Sequence, residues 1–176
     1  MIRALAFQQY ALVITRTTSG VLEARGGQAL MGPLRHILVI DDEQSLLDLI
    51  GDSLQLLGGY TVTVAHDGID GLEQVAAHPP DCVIVDVRMP HLNGFQFVQA
   101  MRGDPATVQI PLLILSALVQ QRDALSGLLS GADAYLTKPV RMTDLLEAID
   151  RAVNLTPIER AQRACELADT PFPPQE

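Results

Sequence analysis

Five polar side chains stand where apolar runs end: Asp41 and Asp42 after residues 36–40, Asp86 after 82–85, Ser116 after 112–115 and Lys138 after 134–137. Three carboxylates brought together repel one another, and such a cluster is tolerable when a hard divalent cation or a cationic partner neutralises it. The oxygen-only donor set suits Mg2+, which keeps several waters and binds through one or two carboxylates plus phosphate oxygens. A hydroxyl from Ser116, an ammonium from Lys138 and the metal together match the three outer oxygens of a transferring phosphoryl group, with Asp86 as the nucleophile. Lys138 is the only lysine in the chain, against eleven arginines. Its place at a strand end, followed by Pro139, asks for a point charge that the planar fork of arginine would not supply.

These residues meet only if the runs they terminate lie side by side. Residues 36–40 and 82–85 are short, β-branched and flanked by turn residues, as strands covered on both faces would be. Residues 44–57 carry Leu47, Ile50, Leu54 and Leu57 at helical spacing, and Gly58 and Gly59 end that helix. Residues 60–65 read as a second strand, and the helix after Gly68 shows Ile69, Leu72, Val75 and Ala76 before Pro79 and Pro80 stop it. Pro90, Asn93 and Gly94 break the pattern after Asp86, and a helix over 94–101 follows with Phe95, Val98 and Met101 on one face. Residues 112–115 form a fourth strand, 120–130 a weaker helix and 134–137 a fifth strand, and Leu145, Leu146, Ile149 and Val153 stripe a fifth helix. Five strands alternating with five helices predict an α/β fold, a doubly wound five-stranded parallel sheet with helices on both faces. All five polar residues then fall on the carboxyl edge, where ligands bind in open sheets.

The rest of the chain bounds this reading. A length of 176 residues and 48% apolar content suit one domain with flanking segments, and 4% aromatics make its core aliphatic. A net charge of −9 disfavours nucleic acid and anionic membrane surfaces as partners. Cys82 in an apolar strand and Cys165 in a polar tail give no disulfide framework, which points to a cytoplasmic location. No apolar run reaches transmembrane length, and Gln8, Gln9 and Tyr10 interrupt the N-terminal stretch, unlike a signal peptide. Residues 1–33 stand outside the pattern and are expected to be disordered or a loosely attached hairpin, with Met31 a conjectural natural start. The domain is expected over 34–155. Thr156, Pro157 and Glu159 make a capping box, so residues 156–176 should hold a short extra C-terminal helix to about residue 168 and then a disordered, proline-rich tail.

Taken in order and spacing, these motifs have a specific likeness. Residues 34–155 resemble the receiver domain of two-component response regulators, which has a flavodoxin-like (βα)5 fold. The likeness rests on Asp41-Asp42, on Asp86-Val87-Arg88-Met89-Pro90 with Asn93-Gly94, on Ser116-Ala117, and on the run from Gly131 through Tyr135 to Lys138-Pro139. The resemblance implies that Asp86 accepts phosphate from a histidine kinase or histidine phosphotransfer protein. It implies that Asp42 and Asp86 ligate Mg2+ with the Arg88 backbone carbonyl while Asp41 acts through water. Ser116 and Lys138 would contact the phosphoryl group, Ser116 and Tyr135 would form the switch, and the Lys138–Pro139 bond would be cis. The domain would be a phosphoacceptor that promotes its own phosphorylation and dephosphorylation rather than a conventional enzyme.

Two residues depart from the family pattern. Val140 stands where Phe is common, which bears on packing under the last helix, and Leu118 is apolar two residues past Ser116, which bears on the lifetime of the phosphorylated state. The weak helix over 120–130, diluted by Gln120, Gln121, Arg122, Ser126 and Gly127, suits a two-state element. Readout is therefore expected on the face made by the fourth helix, fifth strand and fifth helix, toward a downstream protein or a second copy of the chain. Only 21 residues follow Leu155, too few for a DNA-binding or catalytic output domain, so a single-domain regulator is expected. A haloacid-dehalogenase-type phosphatase also combines Mg2+, Asp and Lys, but needs an acid where Arg88 stands. An FMN carrier would meet repulsion from Asp41, Asp42 and Glu43, and a pseudo-receiver should have lost site residues that are all present. His36, His66, His78 and His91 share no ligand spacing, Glu43 reads as a helix N-terminal charge beside the acidic pair, and Gly58, Gly59 and Gly68 read as helix punctuation.

Overall fold

The computed structural model describes residues 14–16, 22–24, 35–117, 128, 130–156, 158–160 and 162. The chain divides into two compact units, Met1–Pro33 and Leu34–Glu176. In the first, strands Ile14–Arg16 and Leu22–Ala24 pair antiparallel, with Thr15 opposite Glu23.

The second unit begins with β1 (His36–Ile40), α1 (Gln44–Ser53), β2 (Thr61–Ala65) and α2 (Gly68–Ala77). It continues with β3 (Cys82–Asp86), α3 (Gly94–Gly103), β4 (Leu112–Ser116), β5 (Ala134–Thr137) and α4 (Met142–Asn154). The helix expected over 120–130 falls, apart from residues 128 and 130, outside the described residues, as do Leu118, Met31, Cys165 and the proline-rich tail. The capping box does form: Thr156 N–H donates to Glu159 Oε2 at 2.8 Å, Glu159 N–H donates back to Thr156 Oγ1 at 3.2 Å, and residues 158–160 are helical.

All five strands of the main sheet are parallel, in the order β2-β1-β3-β4-β5. Side chains alternate across a strand, and the apolar runs accordingly feed two cores. Leu38, Ile40, Val83, Val85, Leu112 and Ile114 pack with Val75 of α2 and Phe97, Val98 and Met101 of α3. Ile37, Val39, Cys82, Ile84, Leu113 and Leu115 pack on the other face with Leu47, Ile50 and Leu54 and with Leu145, Ala148 and Ile149 of α4. Burial on both faces is why β1, β3 and β4 read as continuous apolar runs rather than as alternation. Val140 is half-buried against the second core.

The helix expected over 44–57 is α-helical only to Ser53 and π-helical from Leu54 to Gly58, and it closes on Gly59 in the left-handed region at φ 65°. The strand order reverses between β1 and β3, and such a switch point opens a crevice at the carboxyl ends of the strands.

Candidate functional site

Asp41 follows β1 directly, Asp86 is the last residue of β3, Ser116 the last of β4, and Lys138 follows β5. Register keeps them level: Ile40 lies beside Val85, Asp86 beside Leu115, and Ser116 beside Thr137. Lys138 N–H donates to the Ser116 carbonyl at 2.7 Å, which carries the ladder one residue past β5 and brings the lysine back toward the centre. Its peptide bond to Pro139 is cis, as the resemblance implies.

The lysine ammonium is the hub. Nζ lies 2.6 Å from Asp41 Oδ2 and 2.6 Å from Asp86 Oδ1. Burial alone would lower the Lys138 pKa, but the hydrogen bonds to Asp41 and Asp86 reverse that and hold it above its ordinary value. The amine therefore stays charged. Asp86 is pushed up by burial, against the pull of Lys138 and with a further push from the like charge on Asp41. Two carboxylates thus share one ammonium, so the lysine gains from both while each acid has only part of a counterion. The other oxygen of Asp86 accepts from the Arg88 N–H, and Asp41 Oδ1 accepts from the Glu43 N–H at 2.9 Å, so the backbone fixes both carboxylates.

Asp41 is buried and Asp42 is exposed. Among the described residues no three His, Cys, Asp or Glu side chains converge as a metal site. The donor chemistry still fits a hard cation, because Asp41 and Asp86 offer only oxygen and one ammonium leaves them with excess negative charge. Ser116 is fully buried at the sheet edge, and Tyr135 is half-buried against the core formed with α2 and α3. The Arg88 side chain is exposed, which leaves its backbone as the part that faces the site.

Two glycines prove to be more than punctuation. A Cβ on Gly94 would run into the carbonyl oxygen of Asp86, so only glycine lets α3 start against the end of β3, where Gly94 N–H donates to the Val87 carbonyl at 3.1 Å. A Cβ on Gly68 would sit 2.5 Å from the Leu92 carbonyl oxygen and 2.9 Å from its Cβ, so the start of α2 presses on the loop that leaves Asp86. Asn93 caps α3 in a reciprocal box with Gln96, and Asp67 caps α2 by accepting from the N–H groups of Ile69 and Asp70. Gly94 was visible as part of a motif; for the contact between Gly68 and Leu92 the sequence holds no local signal.

His36, one of four histidines without ligand spacing, has Nε2 2.8 Å from Thr63 Oγ1. His91 stands in the left-handed region at φ 63°, exposed, with Nε2 4.0 Å from Asp67. The Cys82 thiol is buried, and burial pushes its pKa well up. No helix among the described residues is long and apolar enough to cross a membrane.

A doubly wound parallel sheet whose carboxyl edge gathers two carboxylates, a hydroxyl and a lysine defines an α/β domain with a charged site at its switch point. The family model for the response regulator receiver domain matches residues 37–150, and the chain belongs to that family. It is 36% identical over 137 residues to the response regulator MprA of Mycobacterium ulcerans, covering 77% of this chain and 57% of that protein. It is 40% identical over 114 residues to RpaA of Synechocystis, described as a DNA-binding dual master transcriptional regulator, covering 65% of this chain and 47% of that one. The chain spans about half the length of the curated relatives it matches.

Among solved structures, the receiver domain of a Francisella response regulator superposes with a TM-score of 0.63 at 30% identity, covering 68% of this chain and 96% of that one. The chemotaxis protein CheY4 of Vibrio cholerae superposes with a TM-score of 0.63 at 31% identity, covering 68% and 98%. Receiver domains interact with histidine kinases in two-component systems.

Proposed function

We propose that Asp86 takes a phosphoryl group from the phosphohistidine of a histidine kinase or histidine phosphotransfer protein, and that the domain then signals by a phosphorylation-dependent contact with another protein. The observation that carries this reading is the ammonium of Lys138 held 2.6 Å from Asp86 Oδ1, at the switch point of the sheet. A carboxylate oxygen of Asp86 forms a bond to phosphorus as the bond from phosphorus to the histidine nitrogen breaks, and the imidazole leaves. Lys138 then neutralises charge on the transferring oxygens and Ser116 donates its hydroxyl to another. Mg2+, held by Asp41, Asp42, Asp86 and the Arg88 carbonyl, would supply the remaining positive charge. The domain promotes its own phosphorylation and dephosphorylation and turns over no other substrate.

Readout follows from the same residues. Ser116 moves toward the phosphoryl oxygens, Tyr135 turns inward, and the face made by the segment between β4 and β5, by β5 and by α4 changes. That face binds a downstream protein or a second copy of the chain, without nucleic acid or membrane as a partner of the domain itself. The free, buried Cys82 suits a cytoplasmic setting.

The test is incubation with a small phosphodonor such as acetyl phosphate, with and without EDTA, read by intact mass. Mass gain by the wild type with Mg2+, and none with EDTA or in Asp86→Asn, is the expected result. Unchanged phosphorylation of Asp86→Asn moves the acceptor elsewhere. No gain by the wild type turns the reading to a phosphorylation-independent pseudo-receiver.

A further inference from the structure

The opposite pole of the sheet holds a second charged cluster that phosphoryl chemistry does not use. Asp133, just before β5, is almost wholly buried, with 2% of its side chain exposed. One of its oxygens accepts from Arg102 of α3 at 3.0 Å and from the Leu112 N–H at 2.8 Å. The other accepts from Arg160 Nε at 2.5 Å. Arg102 also donates to the carbonyls of Gly131 at 2.7 Å, Val108 at 2.9 Å and Ile110 at 2.8 Å, and so belongs to the frame of the sheet edge. Arg160 lies beyond α4, on the turn opened by the Thr156 cap, and reaches back across the amino edge. It donates to Gln109 through the carbonyl at 2.9 Å and through Oε1 at 3.2 Å, and to the Ala152 carbonyl at 3.5 Å.

From this arrangement we infer that Thr156 and residues 158–160 belong to a strap latched over the amino edge of the sheet by Arg160, and that the strap opens without unfolding the domain beneath it. Two features support opening. Among the described residues neither core includes one beyond Val153, and Ile158 on the strap is 71% exposed. Asp133 keeps Arg102 and the Leu112 N–H when Arg160 leaves, so release strands no buried carboxylate without a counterion. Arg160 is therefore the latch, tying the strap to Asp133 and to Gln109.

The arginine end of the pair keeps 16% exposure, so ionic strength weakens the hold, though less than it would a surface pair. The test is NMR on the full chain: amide exchange of residues 158–160 and 162 and the Arg160 Nε–H signal, at low and at high salt, in the wild type, Arg160→Ala and Arg160→Lys. The expected result is a protected Nε–H and slow strap amides in low-salt wild type, and faster strap exchange in high salt. Arg160→Ala should be fast at both salts and Arg160→Lys intermediate, because an ammonium keeps the charge and loses the fork. Amides of β1, β3 and β4 should stay protected throughout. Strap amides that ignore both salt and Arg160→Ala would overturn the latch. Loss of β4 and β5 protection along with the strap, or failure of Arg160→Ala to fold, would overturn it too, because Arg160 would then be part of the core.

Discussion

The two poles of the sheet carry opposite ratios of charge. At the carboxyl edge two buried carboxylates, Asp41 and Asp86, share the one ammonium of Lys138. At the amino edge one buried carboxylate, Asp133, is gripped by two guanidiniums and a backbone N–H. The first cluster is short of positive charge and keeps unused acceptor capacity, since each carboxylate has room for about four hydrogen bonds. The second is closed: its acid has donors on both oxygens, and Arg102 spends its donors on three carbonyls besides. Unsatisfied negative charge invites a cation or a phosphoryl group held by cations, whereas a saturated pair of forks holds chain segments together. The same ion-pair chemistry thus serves reaction at one end and architecture at the other.

The sharpest way to break this contrast is to remove the acid from the closed cluster. Asp133→Ala leaves Arg102 and Arg160 facing one another, mostly buried, with the Leu112 N–H unsatisfied. Loss of one partner of a buried ion pair costs about 3–5 kcal/mol. Urea unfolding should show that loss as a lower midpoint with little change in slope. A loss near zero would mean that the amino edge is solvated and that its arginines are not architectural. Burial pushes the Arg102 pKa down while Asp133 pulls it up, so the variant withdraws the support of an arginine that must remain charged.

The open cluster should respond differently. Lys138→Met leaves the buried Asp41 and Asp86 without an ammonium that is itself 20% exposed, so water and ions can take its place. We expect about 1–3 kcal/mol of destabilisation, the range for an orphaned polar group. We also expect adding Mg2+ to recover more stability in the variant than in the wild type, because the ion would find two carboxylates without a competitor. Thermal unfolding with and without Mg2+ measures both effects. A variant blind to Mg2+ would remove the support that charge imbalance lends to a metal at this edge.

The two poles also differ in how legible they were. Asp86, Ser116 and Lys138 end apolar runs, and a parallel sheet brings all such ends to one edge, so a pattern of period and punctuation was enough to group them. The difference in burial between Asp41 and Asp42 was not readable, because consecutive residues past the end of a strand follow no period. Nor was the change from α to π helix at Leu54, since over five residues the two periods place the same leucines on nearly the same face. The partnership of Asp133 with Arg160 spans 27 residues and obeys no repeat. Long-range side-chain pairs of this kind leave no periodic trace, so only the folded structure shows the amino-edge cluster.

The smallest expected effect tests whether distance or burial decides. Arg141 and Asp144, at the start of α4, form two hydrogen bonds of 2.9 Å each, shorter than the 3.0 Å from Arg102 to Asp133. Their side chains are 81% and 40% exposed. Such pairs contribute little, because water screens the attraction and ordering two side chains opposes it. Asp144 is held below its ordinary range by Arg141, so whatever the pair adds is present above the unfolded pKa, about 3.9, and fades as pH falls through the lower folded value. Arg141 is raised by the same contact and stays charged throughout that acid range, so the contribution of the pair follows the titration of Asp144 alone. Arg141→Ala should therefore leave the urea midpoint at neutral pH within error of the wild type, and any difference should vanish in acid. A shift at neutral pH as large as that of Asp133→Ala would show that short contacts carry the energy wherever they lie, and the distinction between the buried poles and the open surface would fail.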